Sequence, residues 1–231
     1  MDSKNRAESS RGLLQPRLVV PPDFLPPDRV QIDPETLKAR DMYQWMVSTV
    51  IPRPIAWVST VDVNGIGNLA PFSFFNGVCA QPPTLMFCPA NDRFGRQKDT
   101  LVNIEATGEF VLHLVPFHLA EKMNATAASL PRGVSEFEHC GVESVPATKV
   151  RPRRIPGVPV AFECRLDRVV RISEGPIGGN VVFGRIVQFH IDDAVLGPDG
   201  RPDPLKLDLV ARAGGDQYMR LGELFSLVRP A

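Results

Sequence analysis

The chain has no excess of charge of either sign, because its 26 lysine and arginine residues are matched by 26 aspartate and glutamate residues. A protein without net charge has no long-range attraction for nucleic acid or for an anionic membrane. A local basic patch is the one exception that this balance leaves open. The composition therefore argues against nucleic acid and membrane surfaces as the main partners.

Long apolar runs are also missing. The longest, around Phe110–Ala120, is interrupted by two histidines and is too short to span a bilayer. The polar start Met1–Arg6 is not followed by an apolar segment. We therefore expect no signal peptide and a cytoplasmic location.

Cysteine and histidine are scarce, with four of each in 231 residues. The cysteines lack the paired spacing of disulfide or zinc motifs, which predicts reduced, buried thiols. His113 and His118 have the wrong spacing for a helical metal pair, and Pro116 breaks any helix between them. We therefore predict no metal site. The cysteines are Cys79, Cys88, Cys140 and Cys164.

Familiar catalytic and nucleotide motifs are absent as well. The chain has no Gly-x-Ser-x-Gly elbow and no Walker loop, and the glycines of Gly175–Gly179 are not flanked by a strand-to-helix crossover. His190 could assist proton transfer, because its charge changes near neutral pH, but a structural role is the alternative.

Proline is concentrated at the N-terminus, where residues 1–34 carry six of the 23. Proline interrupts regular hydrogen bonding, so we predict an extended arm at 1–34 that either packs on a partner subunit or is disordered. The rest, 35–231, is long enough for one substantial domain.

Beyond the arm, the hydrophobic pattern predicts a helix that starts at the Asp33-Pro34 cap and ends before Pro52. The pattern then changes to strand-like alternation, with a hairpin turn at Asn64-Gly65, where both residues favour positive φ. Many strands with few short helices predict a mainly β fold, a closed antiparallel barrel with helical decoration. The predicted strands are Ile55–Val61, Asn68–Asn76, Thr84–Cys88, Phe110–Val115, Val160–Val170 and Asn180–Ile191, and Thr100–Thr107 is predicted to be a helix.

The segment Asn68–Gly77 has the groups that a flat heteroaromatic ligand needs. A flavin ring requires polar partners along its pyrimidine edge and apolar cover on its faces. Polar side chains and phenylalanines both occur here. A role in the hydrophobic core is the alternative for the phenylalanines. Strand alternation predicts Phe72 and Phe74 on one face and Phe75 on the other. The candidate cofactor ligands are Ala70, Pro71, Ser73, Phe74, Phe75, Asn76 and Gly77.

A second candidate is Lys98-Asp99-Thr100, immediately before a predicted helix. Free N–H groups and partial positive charge at a helix N-terminus suit a phosphate, and Lys98 adds a cation. An ordinary capped helix start is the alternative. Arg53, held between two prolines, is a third candidate for gripping a phosphate, and a surface salt bridge is its alternative.

In order and spacing, these motifs resemble the flavin reductase-like proteins with an FMN-binding split barrel, in the branch of flavoredoxin and the reductase component of nitrilotriacetate monooxygenase. The similarity covers nearly everything after residue 40. It is carried by Arg53–Thr60, Asn68–Asn76, Pro82-Pro83, Lys98–Leu101, Glu121–Thr126, Glu136–Glu138, Pro159–Cys164, Val182–Gly184, Gly214-Gly215, Tyr218 and Phe225–Leu227.

The resemblance implies a six-stranded antiparallel split barrel, a homodimer, and FMN bound near the subunit interface. It also assigns residues: the Ala70–Gly77 loop to the flavin ring and chain, and Lys98, Asp99 and Thr100 to the phosphate. Ser59 or Thr60 are implied to lie close by, and Trp57 to cover part of the ring or its edge.

Three functions remain open at this point. The first is an NAD(P)H-dependent flavin reductase, in which NADH or NADPH reduces the flavin and an oxygenase or another acceptor receives the electrons. The second is a non-enzymatic FMN electron-transfer protein of the flavoredoxin kind. The third is an FMN-dependent enzyme acting on an organic substrate, with the region of Asn124 or the proline-rich arm shaping the pocket.

Overall fold

The computed structural model describes residues 30–230. The chain divides into two units, Met1–Leu37 and Lys38–Ala231. In the described part of the first, Pro34–Thr36 form a 3-10 helix whose Glu35 N–H donates to the Asp33 carboxylate. The predicted arm lies almost entirely outside the described residues, so its role stays a prediction.

The second unit is mainly β, as predicted. The predicted hairpin turn at Asn64-Gly65 is present, but only Gly65 of these two residues has a positive φ. The Asp62 carboxylate holds the turn by accepting the N–H groups of Asn64 and Ile66. The strands are β1 Arg53–Pro54, β2 Ala56–Val61, β3 Gly67–Phe72, β4 Phe75–Ala80, β5 Pro83–Phe87, β6 Glu109–Leu114, β7 Val160–Arg171, β8 Asn180–Ile191, β9 Val210–Arg212 and β10 Tyr218–Arg220, and the α-helices are α1 Ala39–Thr49, α2 Asp99–Thr107, α3 Ala120–Ala125, α4 Glu136–His139 and α5 Pro204–Leu207.

The large sheet curls so that the end of one edge strand lies near the start of the other. Its seven strands run antiparallel in the order β3-β2-β6-β7-β8-β5-β4, so that β3 and β4 are the edges. Only Ser73 and Phe74 separate these strands in the chain, and such a link spans at most about 11 Å. The result is a split barrel, which confirms the predicted fold class. The strand count differs from six, since this sheet has seven and β1-β9-β10 form another.

The predicted single return strand Asn68–Asn76 is wrong beyond Phe72. The break at Ser73-Phe74 resets the alternation of side chains. As a result Phe72 and Phe75 pack against the same core cluster, whereas one continuous strand would place them on opposite faces. The Phe72 ring lies 5.2 Å from that of Phe87.

Two apolar clusters flank β2, which is buried along its whole length. The barrel interior is closed by α2, whose Leu101 and Ile104 are fully buried. The second cluster lies on the other side of β2, under α3 and α4, and includes Trp57, Leu69 and Met123. Anchoring through Leu101 and Ile104 fixes the position of α2, which matters for the site below.

The four cysteines are unpaired, as expected, but the prediction that all are buried is wrong. Cys164 is buried in the barrel, whereas Cys79 is exposed on the edge strand β4. No helix among residues 30–230 is both long and apolar enough to cross a lipid bilayer.

His113 is fully buried in β6. Its Nδ1 donates to the Trp57 carbonyl oxygen at 2.9 Å, and the Ile155 N–H donates to its Nε2 at 3.1 Å. This bonding pattern requires a neutral ring. Burial lowers the pKa of His113 to about 4 from an ordinary value of 6.5.

We expect the free energy of unfolding to fall as the pH drops from 6.5 to 4, because the unfolded chain binds a proton at His113 that the folded protein excludes. The loss amounts to about 3 kcal/mol. Urea unfolding at pH 7 and pH 4.5 measures it. His113→Gln should remove this part of the acid sensitivity, whereas the exposed control His118→Gln should keep it. An unchanged pH dependence in the His113 variant contradicts the prediction.

Candidate functional site

The N-terminus of α2 is an uncapped helix end. Lys98 is the N-cap residue but makes no side-chain cap, and the N–H groups of Asp99 and Thr100 have no hydrogen-bond acceptor among the described residues. The other end of the helix is closed at Gly108, which is left-handed with φ +72°. Free N–H groups and the positive end of the helix dipole therefore remain at Asp99-Thr100.

Two side-chain bonds hold this helix end against the sheet. The Asn68 amide donates to the Thr100 hydroxyl at 2.9 Å, and the Asn103 amide donates to the Thr60 hydroxyl at 3.1 Å. Thr100 accepts its bond, so its own proton stays available for another acceptor. Thr60 thus lies one layer behind α2, where it positions the helix.

A cleft of about 820 Å³ opens beside this helix end. It is lined by Ala70–Phe72 of β3, by the segment Thr126–Arg132 after α3 and by the loop Arg96–Lys98. The volume falls within the roughly 300–1,000 Å³ typical of small-molecule sites. The cleft therefore has room for a ligand of cofactor size.

The charges in the cleft are mostly paired. Arg96 Nε lies 2.7 Å from Asp92 Oδ2, and Arg132 Nε lies 2.9 Å from Asp99 Oδ1. Among the described cleft residues, Lys98 is the cation without a carboxylate within salt-bridge distance. An anionic ligand would therefore find Lys98 and the α2 N-terminus free.

Glu136 contributes a buried carboxylate to the cleft wall. It is 8% exposed, and its Oε2 accepts the Leu69 N–H at 2.9 Å. Burial raises the pKa of Glu136, and the bond from Leu69 opposes part of that rise. The carboxylate therefore fixes β3 at the point where that strand lines the cleft.

The structure brings together one group of the predicted site residues and leaves the others outside the lining. Ser59 is fully buried, and its hydroxyl donates to the Arg153 carbonyl oxygen. Asn76 and Gly77 are exposed on β4. The residues at the cleft are Ala70, Pro71, Lys98, Asp99 and Thr100; those that do not line it are Arg53, Trp57, Ser59, Thr60, Ser73, Phe74, Phe75, Asn76 and Gly77.

Arg53 and Trp57 lie inside the protein. The Arg53 guanidinium donates to the carbonyl oxygens of Val47, Val50 and Ala213, and among the described residues it makes no salt bridge. Trp57 has no exposed surface, and its indole N–H donates to the Thr126 hydroxyl at 2.9 Å. This bond anchors the start of the segment Thr126–Arg132, and the predicted contacts of Arg53 and Trp57 with FMN stay predictions.

The sequence did not identify most of the segment Thr126–Arg132, or Glu136, as part of the cleft. The only local signal is the run of small residues from Ala125 to Ser129, which leaves space for a ligand. His190 is also not in the cleft, since its Nε2 lies 2.6 Å from the buried Glu163 carboxylate. The lining residues that the sequence did not point to are Asp92, Arg96, Gln97, Val102, Ala127, Ala128, Ser129, Leu130, Pro131, Arg132 and Glu136.

The cleft lies in a part of the chain that matches a known protein family. Residues 47–207, which include β2, β3, α2 and the segment Thr126–Arg132, match the model of the flavin reductase like domain. The chain belongs to the flavin reductase-like family. The resemblance stated from the sequence is thereby confirmed.

Similar proteins cover almost the whole flavin reductase-like chain. The uncharacterised protein YwrF from Bacillus subtilis is 38% identical over 200 residues, which are 85% of this chain and 97% of that one. Nitrilotriacetate monooxygenase component B from Bacillus cereus is a structural match with a TM-score of 0.83 and 30% identity, over 87% of this chain and 100% of that one. For 2-nitrobenzoate 2-nitroreductase NbaA from Pseudomonas fluorescens the TM-score is 0.76 and the identity 29%, over 87% and 96%.

Flavin binding and flavin oxidoreductase activity are thus the general properties that family and neighbours support for this flavin reductase-like protein. The cleft is consistent with them. It combines a free cation, a free helix N-terminus and a β-strand wall with backbone and apolar groups.

Proposed function

We propose that the protein is an FMN-binding flavin reductase that takes a hydride from NADH or NADPH and delivers electrons to an oxygenase or another acceptor. The observation that carries the proposal is the uncapped N-terminus of α2, with Lys98 beside it, at the edge of the 820 Å³ cleft. A phosphate monoester is the ligand that such a helix end binds best. FMN has one, attached to a flat ring through a flexible chain.

The residues at the cleft fit that cofactor. The N–H groups of Asp99 and Thr100, with the Lys98 ammonium, would hold the phosphate. The strand Ala70–Phe72 would lie along the ring, with backbone groups for its polar edge and Pro71 for its face. A bound flavin would supply the redox chemistry, as an acceptor of the two electrons and one proton of a hydride. The protein supplies position and charge.

The similar proteins favour two different electron acceptors. The similarity to nitrilotriacetate monooxygenase component B favours an oxygenase as the acceptor. The similarity to a protein named 2-nitrobenzoate 2-nitroreductase favours direct reduction of an organic substrate. A flavoredoxin-like electron-transfer role differs from both, since it requires no reaction with a nicotinamide.

A homodimer in the cytoplasm belongs to the same proposal. The edge strand β4 is exposed along Asn76–Ala80, and Val78 is 51% exposed. An unpaired edge with apolar side chains is a surface that proteins usually pair or cover. Light scattering on the purified protein measures the subunit number.

Anaerobic stopped-flow reduction tests the function. We expect the protein to bind FMN and the bound flavin to bleach rapidly on mixing with NADH or NADPH. If a small protein donor reduces the bound FMN and neither NADH nor NADPH does, the protein is an electron-transfer protein and not a reductase. If the protein neither retains FMN nor quenches FMN fluorescence, the assignment of FMN as its cofactor is wrong.

A further inference from the structure

An exposed aromatic ring with two arginines close to it lies beside the cleft. The guanidinium carbon of Arg93 is 4.8 Å from the centroid of the Phe94 ring, and that of Arg96 is 5.2 Å from it. Phe94 is 65% exposed, and Asp92 and Arg96 on either side of it line the cleft. We call Arg93, Phe94 and Arg96 the rim cluster. Of these three residues, Arg96 lines the cleft of the proposed flavin site, and Arg93 and Phe94 do not.

The backbone of the rim cluster is held firmly. Asp92 Oδ1 accepts the N–H of Phe94 at 2.7 Å and that of Arg96 at 2.9 Å. Gly95 adopts φ +82°, and a Cβ at that position would lie 3.2 Å from the Gly175 Cα. The loop is therefore set in one conformation that keeps the Phe94 ring in solvent. A preorganised surface of this kind binds a ligand with little ordering cost.

The chemistry of the rim cluster suits an adenosine phosphate. Purine rings stack on aromatic faces and guanidinium planes, and guanidinium groups form paired hydrogen bonds with phosphates. Among the described residues, Arg93 has no carboxylate within salt-bridge distance, so its charge is free for such a ligand. A nicotinamide dinucleotide has an adenosine and a pyrophosphate attached to the ring that donates the hydride.

We infer that the rim cluster binds the adenosine phosphate half of the dinucleotide donor, with Phe94 under the adenine and Arg93 on its phosphates. The inference rests on the proposed function, because it places the nicotinamide end of the same molecule in the flavin cleft. It assigns donor recognition to Phe94 and Arg93, which do not line that cleft. Selectivity between NADH and NADPH would then depend on Arg93 and not on the flavin ligands.

The test compares Phe94→Ala and Arg93→Gln with the FMN-loaded wild type in anaerobic stopped-flow reduction by NADH, NADPH and reduced nicotinamide mononucleotide. For a dinucleotide, we expect the half-saturating concentration to rise about fivefold or more in both variants. For the mononucleotide, which lacks the adenosine half, it should not change, and FMN affinity should stay at the wild-type value. Phe117→Ala is the matched control, since that ring is 50% exposed beneath the Arg220 guanidinium but does not line the cleft.

The outcomes separate this inference from the proposal beneath it. An effect of Arg93→Gln on NADPH alone supports binding of the 2′-phosphate, and an equal effect on both dinucleotides supports binding of the pyrophosphate. Normal dinucleotide saturation in both variants, an equal rise for the mononucleotide, or a loss confined to electron delivery to a protein acceptor overturns the inference and leaves the reductase intact. If no nicotinamide donor bleaches the wild type, the reductase proposal fails and this inference with it.

Discussion

Replacing Lys98 with glutamate is expected to weaken FMN binding by about a hundredfold or more. The change removes a charge-assisted phosphate bond worth roughly 1.5–3 kcal/mol and adds repulsion between the new carboxylate and the phosphate. Lys98→Ala, which removes the bond without adding repulsion, is expected to cost about tenfold. Titration of the apoprotein with FMN, followed by quenching of flavin fluorescence, measures both affinities.

Lys38 is the matched control for this experiment. It is the N-cap residue of α1 as Lys98 is of α2, it has nearly the same backbone angles, and neither lysine caps its helix with its side chain. Lys38 does not line the cleft. Lys38→Glu should therefore leave FMN affinity unchanged. Equal affinities for the two glutamate variants would remove Lys98 from the site and would undermine the assignment of the cleft.

Gly184→Ala is expected to destabilise the fold by about 3 kcal/mol, at the upper end of the usual cost of overpacking a core. Gly184 lies in β8, and a Cβ there would be 2.2 Å from Cζ of Phe110. Phe110 is fully buried and contacts the ring of Phe87 at 5.5 Å between centroids, so it has no room to retreat. Chemical unfolding of the two proteins measures the difference in the free energy of unfolding.

Two further variants identify the cause of that loss. Gly77→Ala is the control, because Gly77 also lies in a strand but a Cβ there would meet nothing within 4 Å. It should leave the free energy of unfolding unchanged or raise it by up to about 1 kcal/mol. Phe110→Leu should recover part of the Gly184→Ala loss in the double variant, since the two sites are in contact. Strictly additive effects of the two substitutions would show that the collision with Phe110 is not the reason.

Helices and strands were predicted accurately where the interactions that define them join residues close together in the sequence. The start of α2 was predicted within a residue, and its end at Gly108 was predicted because a left-handed glycine stops a helix within one turn. The long strands β7 and β8 were predicted equally well from their continuous pattern. The strand through Ser73-Phe74 was not, because nothing local shows that the chain passes from one sheet edge to the other there.

Contact partners were the part that sequence reasoning could not supply. Arg53 reads as an exposed cation between prolines, yet its acceptors include Ala213, at the far end of the sequence. Trp57 reads as a stacking ring, yet it binds Thr126 in the core. Neither of these partners could be inferred from the sequence, because tertiary packing decides which donor meets which acceptor.

By itself the sequence determined a mainly β domain, a family resemblance and a phosphate-binding candidate at Lys98–Thr100, since capping, alternation and motif order are properties of neighbouring residues. Only the tertiary structure decided that the sheet curls into a split barrel, that Thr126–Arg132 and β3 line one cleft, and that the α2 N-terminus opens into it. Those facts depend on segments that are distant in the chain and meet only when the barrel is packed.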